Sequence, residues 1–330
     1  MQSIRWGIIG AGNIADKMAN AITLHKNSVL ISIASRTKVK AELFAGTYGI
    51  EADSYESLVS RADIDIVYIA TTHNFHFENA LLALHAGKHV LIEKPFTVNA
   101  TQAETLIKLA KQKQCFLMEA VWTRFLPSIQ HLKSLLDDGV IGEIKMFDIS
   151  FCNIAQGKYL PRLIDPNLAG GVTLDMGIYP ITFVNFIMGR LPNQTNSMCR
   201  LSDTGVDEIA SYQMQFKNGA IANINTSFNL STVNKAMIYG ETGFIEFNYF
   251  QQGQTFTIHK HDHSHNVTQS DIKTVSHHEN GFIYQVNEVF EKIHNGELES
   301  NIMPLQETLE TMCLMDNIRQ QCGLIYPFEK

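Results

Sequence analysis

The chain has 330 residues, 45% hydrophobic and 18% charged, a globular balance with enough apolar material for two cores. A formal net charge of −7 with no dense Lys/Arg run argues against nucleic acid as the main partner, because phosphate binding wants a basic face. No apolar run approaches the roughly 20 residues of a membrane span and no basic-then-apolar leader precedes the first strand, so a soluble cytoplasmic protein with no membrane partner is expected.

In chain order, Ile4–Ile9 is a short apolar run and Ile14–Leu24 has helical spacing. Val29–Ala34 is a second run, and Lys38–Tyr48 is helical with Gly49 as its stop. Ile64–Ala70 is buried in character, and Phe75–Ala86 is a helix closed by Gly87. Val90–Ile92 follows, then a helix from about Asn99 to Gln112 and a run Cys115–Met118. Continuously apolar strands alternating with helices predict a parallel sheet covered on both faces. Asn99 and Thr101 are suited to cap the last of these helices.

After about residue 122 the pattern changes. Pro127–Asp138 is helical and ends at Gly139, and "EIKMFDISFCNI" alternates like a long antiparallel strand. One helix, roughly Val172–Met188, precedes strands at about 197–203, 206–216, 219–228, 233–239, 243–248 and 255–260. Lys217-Asn218-Gly219 joins two of them as a tight hairpin. Helices near Phe282–His294 and Leu305–Gln320 close the chain. The fold class is therefore α/β: a parallel-sheet domain over 1–122, and an α+β domain with a mainly antiparallel open sheet over 123–330.

Gly10-Ala11-Gly12-Asn13-Ile14-Ala15 stands between the first strand and the first helix. This G-x-G-x-x-A pattern is the dinucleotide fingerprint, and it marks the N-terminal domain as a Rossmann domain. Gly10 allows the tight turn, Gly12 lets backbone approach a pyrophosphate at the helix N-terminus, and Ala15 keeps helix and strand close. Asn13 and Ile14 lie at the same phosphate end. After the second strand, where an NAD enzyme usually carries Asp or Glu, this chain has Ser35 and Arg36, followed by Thr37 and Lys38. An acid would repel a 2′-phosphate and these residues would bind one, which favours NADP(H). If Arg36 only stacks on adenine, NAD(H) is accepted too.

The later strand ends carry further polar residues that face the cofactor crevice. In "TTHNFHFENA", Thr71 and Asn74 are cofactor contacts, and His76 either approaches the nicotinamide or is a helix-start histidine. The next strand ends in Glu93-Lys94-Pro95. Lys94 can touch both the nicotinamide ribose and a substrate oxygen, or can be a strand-end lysine paired with Glu93. In "NLAGGVTLDMGIYPITFVNF", Gly170 and Gly171 open a helix on which Asp175 and Tyr179, four apart, share a face. A carbonyl reduction needs a proton donor. A tyrosine with its ordinary pKa of about 10 is a poor one at neutral pH, and a cation such as Lys94 would favour the phenolate. The alternative is that Asp175 and Tyr179 form a hydrogen-bonded pair inside a packed helix.

The fingerprint, "AGKHVLIEKP" and "GGVTLDMGIY" together resemble the glucose–fructose oxidoreductase / inositol dehydrogenase / rhizopine-catabolism family, Gfo/Idh/MocA. "MEAVWTRFLP" and "PRLIDPNLAGG" are similar to its branch with dimeric dihydrodiol dehydrogenases and NADP-dependent xylose dehydrogenases, which carries Tyr where inositol dehydrogenases usually have His. The resemblance implies that Tyr179 is the general acid/base, that Lys94 polarises or deprotonates, and that Asp175 orients substrate or tyrosine. It implies that Trp122 and Phe151 line the pocket with Arg162 beside them, and that the open sheet face forms a homodimer or larger oligomer. Arg124 and Arg162 read better as a strand-end salt bridge and a clamp to Asp165 than as catalysts. A cis Lys94–Pro95 bond fits the motif. The reaction implied is hydride transfer at a CH–OH or C=O group of a small, sugar-like or cyclic-diol substrate. The competing readings are an NAD-dependent inositol or amino-sugar dehydrogenase and a cofactor-sensing regulatory protein.

Two patterns are set aside. His259, His261, His263 and His265 fall on one side of an extended strand, but the stretch reads as strand edge and loop and no metal is expected. Tyr326 to Lys330 spells Y-x-x-x-K with Pro327 inside it, so no catalytic helix can carry it. The five scattered cysteines read as reduced, mostly buried thiols.

Overall fold

A computed structural model describes residues 3–157, 160–262, 264 and 266–329. In chain order the first third contains β1 (Ile4–Ile9), α1 (Asn13–Leu24), β2 (Ser28–Ala34), α2 (Lys38–Tyr48), β3 (Glu51–Asp53) and α3 (Tyr55–Ser60). It continues with β4 (Ile66–Ile69), α4 (His76–His85), β5 (His89–Glu93), α5 (Ala100–Lys113) and β6 (Leu117–Ala120). Then come α6 (Pro127–Asp137), β7 (Ile144–Cys152), α7 (Leu160–Leu163), α8 (Ile178–Met188), β8 (Gln194–Leu201), β9 (Asp207–Gln215) and β10 (Ile221–Ser227). The chain ends with β11 (Lys235–Gly240), β12 (Gly243–Asn248), β13 (Thr255–His261), β14 (Val267–Thr274), α9 (Ile283–His294) and α10 (Leu305–Gln321). β3, α3, α7 and β14 were not read from the sequence. They are short or mostly exposed, so they leave little apolar period to detect.

The chain divides into two compact units, residues 1–122 with 278–312, and residues 123–277 with 313–330. In the first unit all six strands are parallel, in the order β3-β2-β1-β4-β5-β6. This is the doubly wound dinucleotide-binding order, with its crevice beyond the carboxyl ends of β1 and β4. Every residue of β4, and all but His89 of β5, is buried, as the continuous apolar runs predict. Asn99 caps α5 by accepting the Gln102 N–H at 3.0 Å, and Thr101 lies inside that helix. The returning segment completes this unit. The Leu117 N–H donates to the Leu298 carbonyl at 3.1 Å, and the Asn280 side chain donates to the Lys17 carbonyl at 2.8 Å.

The second unit holds an eight-stranded sheet in the order β14-β13-β12-β11-β7-β10-β9-β8. β7, expected to be antiparallel, is so to β11 but runs parallel to β10. One sheet face is core, with Phe147, Ile149, Tyr212, Met214, Ile224, Ile238 and Phe247 buried. The other carries Met146, Met198, Ser211, Asn225 and Ile221 in exposed positions. The β9–β10 hairpin turns at Gly219, whose φ of +86° only glycine adopts readily.

The stretch Pro166–Met188 corrects one expectation. It is long and apolar enough to cross a membrane, with a mean hydropathy of 1.3 in its most apolar window, of which 83% is buried inside the protein. It is a core helix that is hydrophobic all round.

Candidate active site

The phosphate end of the first unit is built by backbone. Gly10 has φ +111°, and a Cβ there would lie 2.5 Å from the Ala70 carbonyl oxygen. Gly12 is the N-cap of α1, is exposed, and has nothing within 4 Å of the place a Cβ would occupy. A helix start with no capping side chain and open space before it suits an anion. The residues present therefore fit a dinucleotide pyrophosphate, with Asn13 and Ile14 in the first turn.

At the end of β2, Ser35 is half-buried and Arg36 exposed. The Arg36 guanidinium stands 5.7 Å from the Phe75 ring centre, and its backbone N–H donates to the Tyr55 hydroxyl at 3.1 Å. Lys38 faces Glu42 at 3.7 Å. The neighbouring acid, Asp53 on β3, is occupied, accepting from Ser32 Oγ at 2.6 Å, Ser57 Oγ at 2.8 Å and Arg61 at 3.2 Å.

After β4, the Thr72 hydroxyl donates to the Asn74 amide oxygen at 2.8 Å, and Thr71 Oγ1 accepts from Asn79 at 3.3 Å. His76 is 1% exposed, with Nδ1 2.8 Å from the Pro95 carbonyl and Nε2 3.2 Å from the Thr71 carbonyl. Burial, then the nearby His73, push its pKa down to about 3, against the pull of those carbonyls. A neutral ring can donate to only one of them, and the shorter contact assigns that N–H to Nδ1. So His76 anchors the Pro95 carbonyl through Nδ1, in line with the structural option of the two read from the sequence.

Lys94 follows β5, half-buried, with a cis peptide to Pro95. Glu93 is 4% exposed and accepts a hydrogen bond from the Tyr68 hydroxyl of β4. Glu119 of β6, also buried, accepts the Phe96 N–H at 2.9 Å. The Glu119 carboxylate thus holds the backbone just after Lys94, and Glu93, expected from the sequence among the cofactor-binding residues, is buried against Tyr68. Trp122 stacks on Phe282, their ring centres 5.2 Å apart.

In the second unit the segment carrying Asp175 is a π-helical turn, Thr173–Gly177, that runs into α8. Such turns recur at functional sites. Asp175 and Tyr179 are both half-buried. Asp175 pairs with Arg162 at 3.1 Å, and the Tyr179 ring stands edge-on to Phe151 with centres 5.8 Å apart. Arg162 was expected to clamp Asp165, but that carboxylate caps its own turn, accepting the Asn167 N–H at 2.9 Å. Arg124 is buried, donates to the Thr182 carbonyl at 2.9 Å and lies 4.9 Å from the Phe186 ring centre.

Sequence reasoning missed Asp207, which is buried at the start of this same turn and accepts from Thr173. Strand alternation through Ala210, Tyr212 and Met214 puts position 208 inward; a shift of register between Arg200 and Leu201 upsets that phase at the strand's start. Of the histidine run, His259 meets Ser270 Oγ at 2.8 Å and stacks on Phe244, while His263 and His265 lie outside the described residues. Tyr326 is buried, donating to the Gly170 carbonyl at 2.6 Å, and Lys330 lies outside the described residues. Cys115 and Cys152 are buried, but Cys199 and Cys322 are only half so and Cys313 is exposed.

The family profile described as "Oxidoreductase family, NAD-binding Rossmann fold" matches residues 4–121, and the "GFO/IDH/MocA C-terminal domain" matches residues 129–246. This chain belongs to the Gfo/Idh/MocA oxidoreductase family. It is similar to the trans-1,2-dihydrobenzene-1,2-diol dehydrogenase of Mus musculus, 31% identical over 99% of both chains. The Homo sapiens enzyme of that name is 29% identical over the same share. Among solved structures, a 3-ketoreductase from Actinomadura kijaniata in complex with NADP and TDP-benzene superposes with a TM-score of 0.88 at 26% identity, covering 97% of this chain and 98% of that one. Both Gfo/Idh/MocA domains and their order are therefore present in this chain.

Proposed function

We propose that this oxidoreductase moves a hydride between a nicotinamide dinucleotide, NADP(H) by preference, and a CH–OH or C=O group of a sugar-like or cyclic-diol substrate. The dihydrodiol dehydrogenase and 3-ketoreductase names of its relatives support that class of substrate. The first unit is the dinucleotide-binding part, and the second the substrate-binding and oligomerisation part, which associates through its open sheet face. When bound, the dinucleotide supplies or accepts the hydride. Gly10, Gly12, Asn13 and Ile14 would hold its pyrophosphate, and Ser35 and Arg36 its 2′-phosphate, the neighbouring Asp53 being engaged by Ser32, Ser57 and Arg61.

The observation that carries the reading is the surroundings of Tyr179. A half-buried phenol stands against Phe151, one turn past the Asp175–Arg162 pair. A phenol so held can pass a proton to or from a substrate oxygen, while the carboxylate and guanidinium orient hydroxyl groups. Lys94, with the backbone just after it held by the buried Glu119 carboxylate, acts as the cation that polarises that oxygen. Solved variants of the Actinomadura 3-ketoreductase alter a tyrosine and a lysine, the same two residue types.

The test is a panel of sugars, anhydro-sugars, inositols and trans-diols offered with NADP+ and with NAD+, followed by nicotinamide absorbance. Turnover with at least one diol or sugar, and tighter binding of NADP(H), are expected. Binding of dinucleotide with no turnover across the panel sinks the enzymatic reading, and tighter binding of NAD(H) sinks the cofactor preference. Lys94→Ala should lower turnover severely while dinucleotide binding survives.

A further inference from the structure

One buried polar network in the second unit ends on the helix start that leads to Asp175 and Tyr179. Asp207, 1% exposed at the beginning of β9, accepts the Thr173 N–H at 2.8 Å and the Thr173 hydroxyl at 2.5 Å, both on Oδ2. The Thr173 hydroxyl lies 2.8 Å from the Tyr212 hydroxyl, which lies 3.0 Å from the Thr226 hydroxyl. Tyr326 holds the Gly170 carbonyl from the other side. No room is left over. A Cβ on Gly171 would fall on Asp207 Oδ1, and one on Gly177 would sit 2.8 Å from the Tyr212 hydroxyl. The stretch 170–177 is thus pinned at its start, middle and end by side chains from β9 and the C-terminal tail, with Thr226 of β10 behind Tyr212.

Burying a carboxylate is costly unless hydrogen bonds offset it. Burial does raise the pKa of Asp207, against the two Thr173 donors and the positive charge of Arg319. An ordinary helix start is capped by its own neighbour. Here Val172 supplies no side-chain cap, and the carboxylate reaches in from 34 residues further along the chain. A local cap would satisfy the same N–H without fixing the turn against the sheet.

We propose that Asp207 is a positioning residue which, through Thr173 and Tyr212, sets the π turn and so fixes where Asp175 and Tyr179 present their oxygens. This rests on the proton-transfer role proposed for Tyr179. Small misplacements of catalytic groups are costly, with about a hundredfold lost per ångström.

The experiment compares Asp207→Ala, Asp207→Asn and Thr173→Val with Tyr179→Phe in the full-length protein. Three readouts are taken: NADPH affinity by fluorescence, kcat and KM for NADP+-dependent oxidation of trans-1,2-dihydrobenzene-1,2-diol and of D-xylose, and a tyrosinate absorbance titration. In the titration, the Tyr179 signal is the part removed by Tyr179→Phe. Asp207→Ala and Thr173→Val are expected to lower kcat about tenfold or more, with NADPH affinity unchanged and the Tyr179 titration moved. Asp207→Asn, whose amide oxygen can still accept both Thr173 donors, should recover most of the loss. Normal kcat in Thr173→Val and Asp207→Ala, alongside an inactive Tyr179→Phe, overturns the positioning role and leaves the chemistry of Tyr179 standing. An active Tyr179→Phe overturns that chemistry instead. In that case, or if neither substrate is turned over, the titration decides, and an unmoved Tyr179 signal overturns the positioning role. Should Asp207→Ala fail to fold, Thr173→Val carries the same decision.

Discussion

In the first unit the polar groups at the crevice follow directly on strand ends: Gly10 after β1, Ser35 and Arg36 after β2, Thr71 after β4, Lys94 after β5. Adjacent strands hold the last of these: Tyr68 of β4 donates to Glu93, and Glu119 of β6 accepts the Phe96 N–H. In the second unit, Asp175 stands on, and Tyr179 just past, a turn pinned by residues 34 to 156 positions away, namely Asp207 and Tyr326. A parallel sheet delivers its strand ends to one edge by topology alone, so short local motifs suffice. A helix packed on a mainly antiparallel sheet has no such edge, and its register has to be fixed by side chains.

Substitutions can break or sharpen this contrast. The largest effect is expected from Tyr179→Phe, which removes the proposed proton carrier. Turnover should fall by about 10²–10⁴-fold with dinucleotide binding intact, as measured by steady-state kinetics and fluorescence titration. Near-normal turnover would mean the second unit supplies its acid/base from elsewhere. Gly10→Ala tests the backbone-built half. Positive φ alone should cost about 1–3 kcal/mol, before the contact with the Ala70 carbonyl is added, and urea unfolding at constant m would read it. An unchanged midpoint would show that the turn adapts. Arg36→Ala should weaken NADP(H) binding by about 1.5–3 kcal/mol, the loss of charge-assisted bonds, and leave NAD(H) binding alone. Equal weakening of both would make Arg36 an adenine contact only.

The effect that vanishes at neutral pH and grows only on acidification concerns His76, whose folded pKa is held near 3 by burial. The unfolded chain takes up this proton below about pH 6.5, while the folded protein does not until about 3. The contribution is therefore complete above about pH 6.5 and is lost as pH falls toward 3, at up to about 1.4 kcal/mol per pH unit. Denaturation midpoints taken across that range should lose this slope in His76→Gln; a slope that persists would place the proton uptake on another group.

How much was legible follows the same contrast. The fingerprint, the Glu-Lys-Pro strand end and the bare Ser35-Arg36 position could be read because each motif is contiguous and its structural context is a strand followed by a turn. The identity of Arg162's partner could not: Asp165 is nearer in sequence, but its carboxylate is used up in capping its own turn. Nor could Asp207, since a local shift of strand register upsets the alternation that would have placed it inward. The parallel pairing of β7 with β10 was hidden because alternation reports which face is buried, not which way the neighbour runs.

The segment that returns to the first unit has a consequence for synthesis. As the protein leaves the ribosome, residues 1–122 emerge first, yet the Leu298 carbonyl, the Phe282 ring and the Asn280 amide that complete the unit emerge only after the whole eight-stranded sheet. Until then the Leu117 N–H, the Trp122 face and the Lys17 carbonyl at α1 wait without these partners. The half that binds the dinucleotide is begun before the eight-stranded sheet and completed after it. A polypeptide ending at Trp122 is thus a nascent intermediate rather than a transplantable cofactor module.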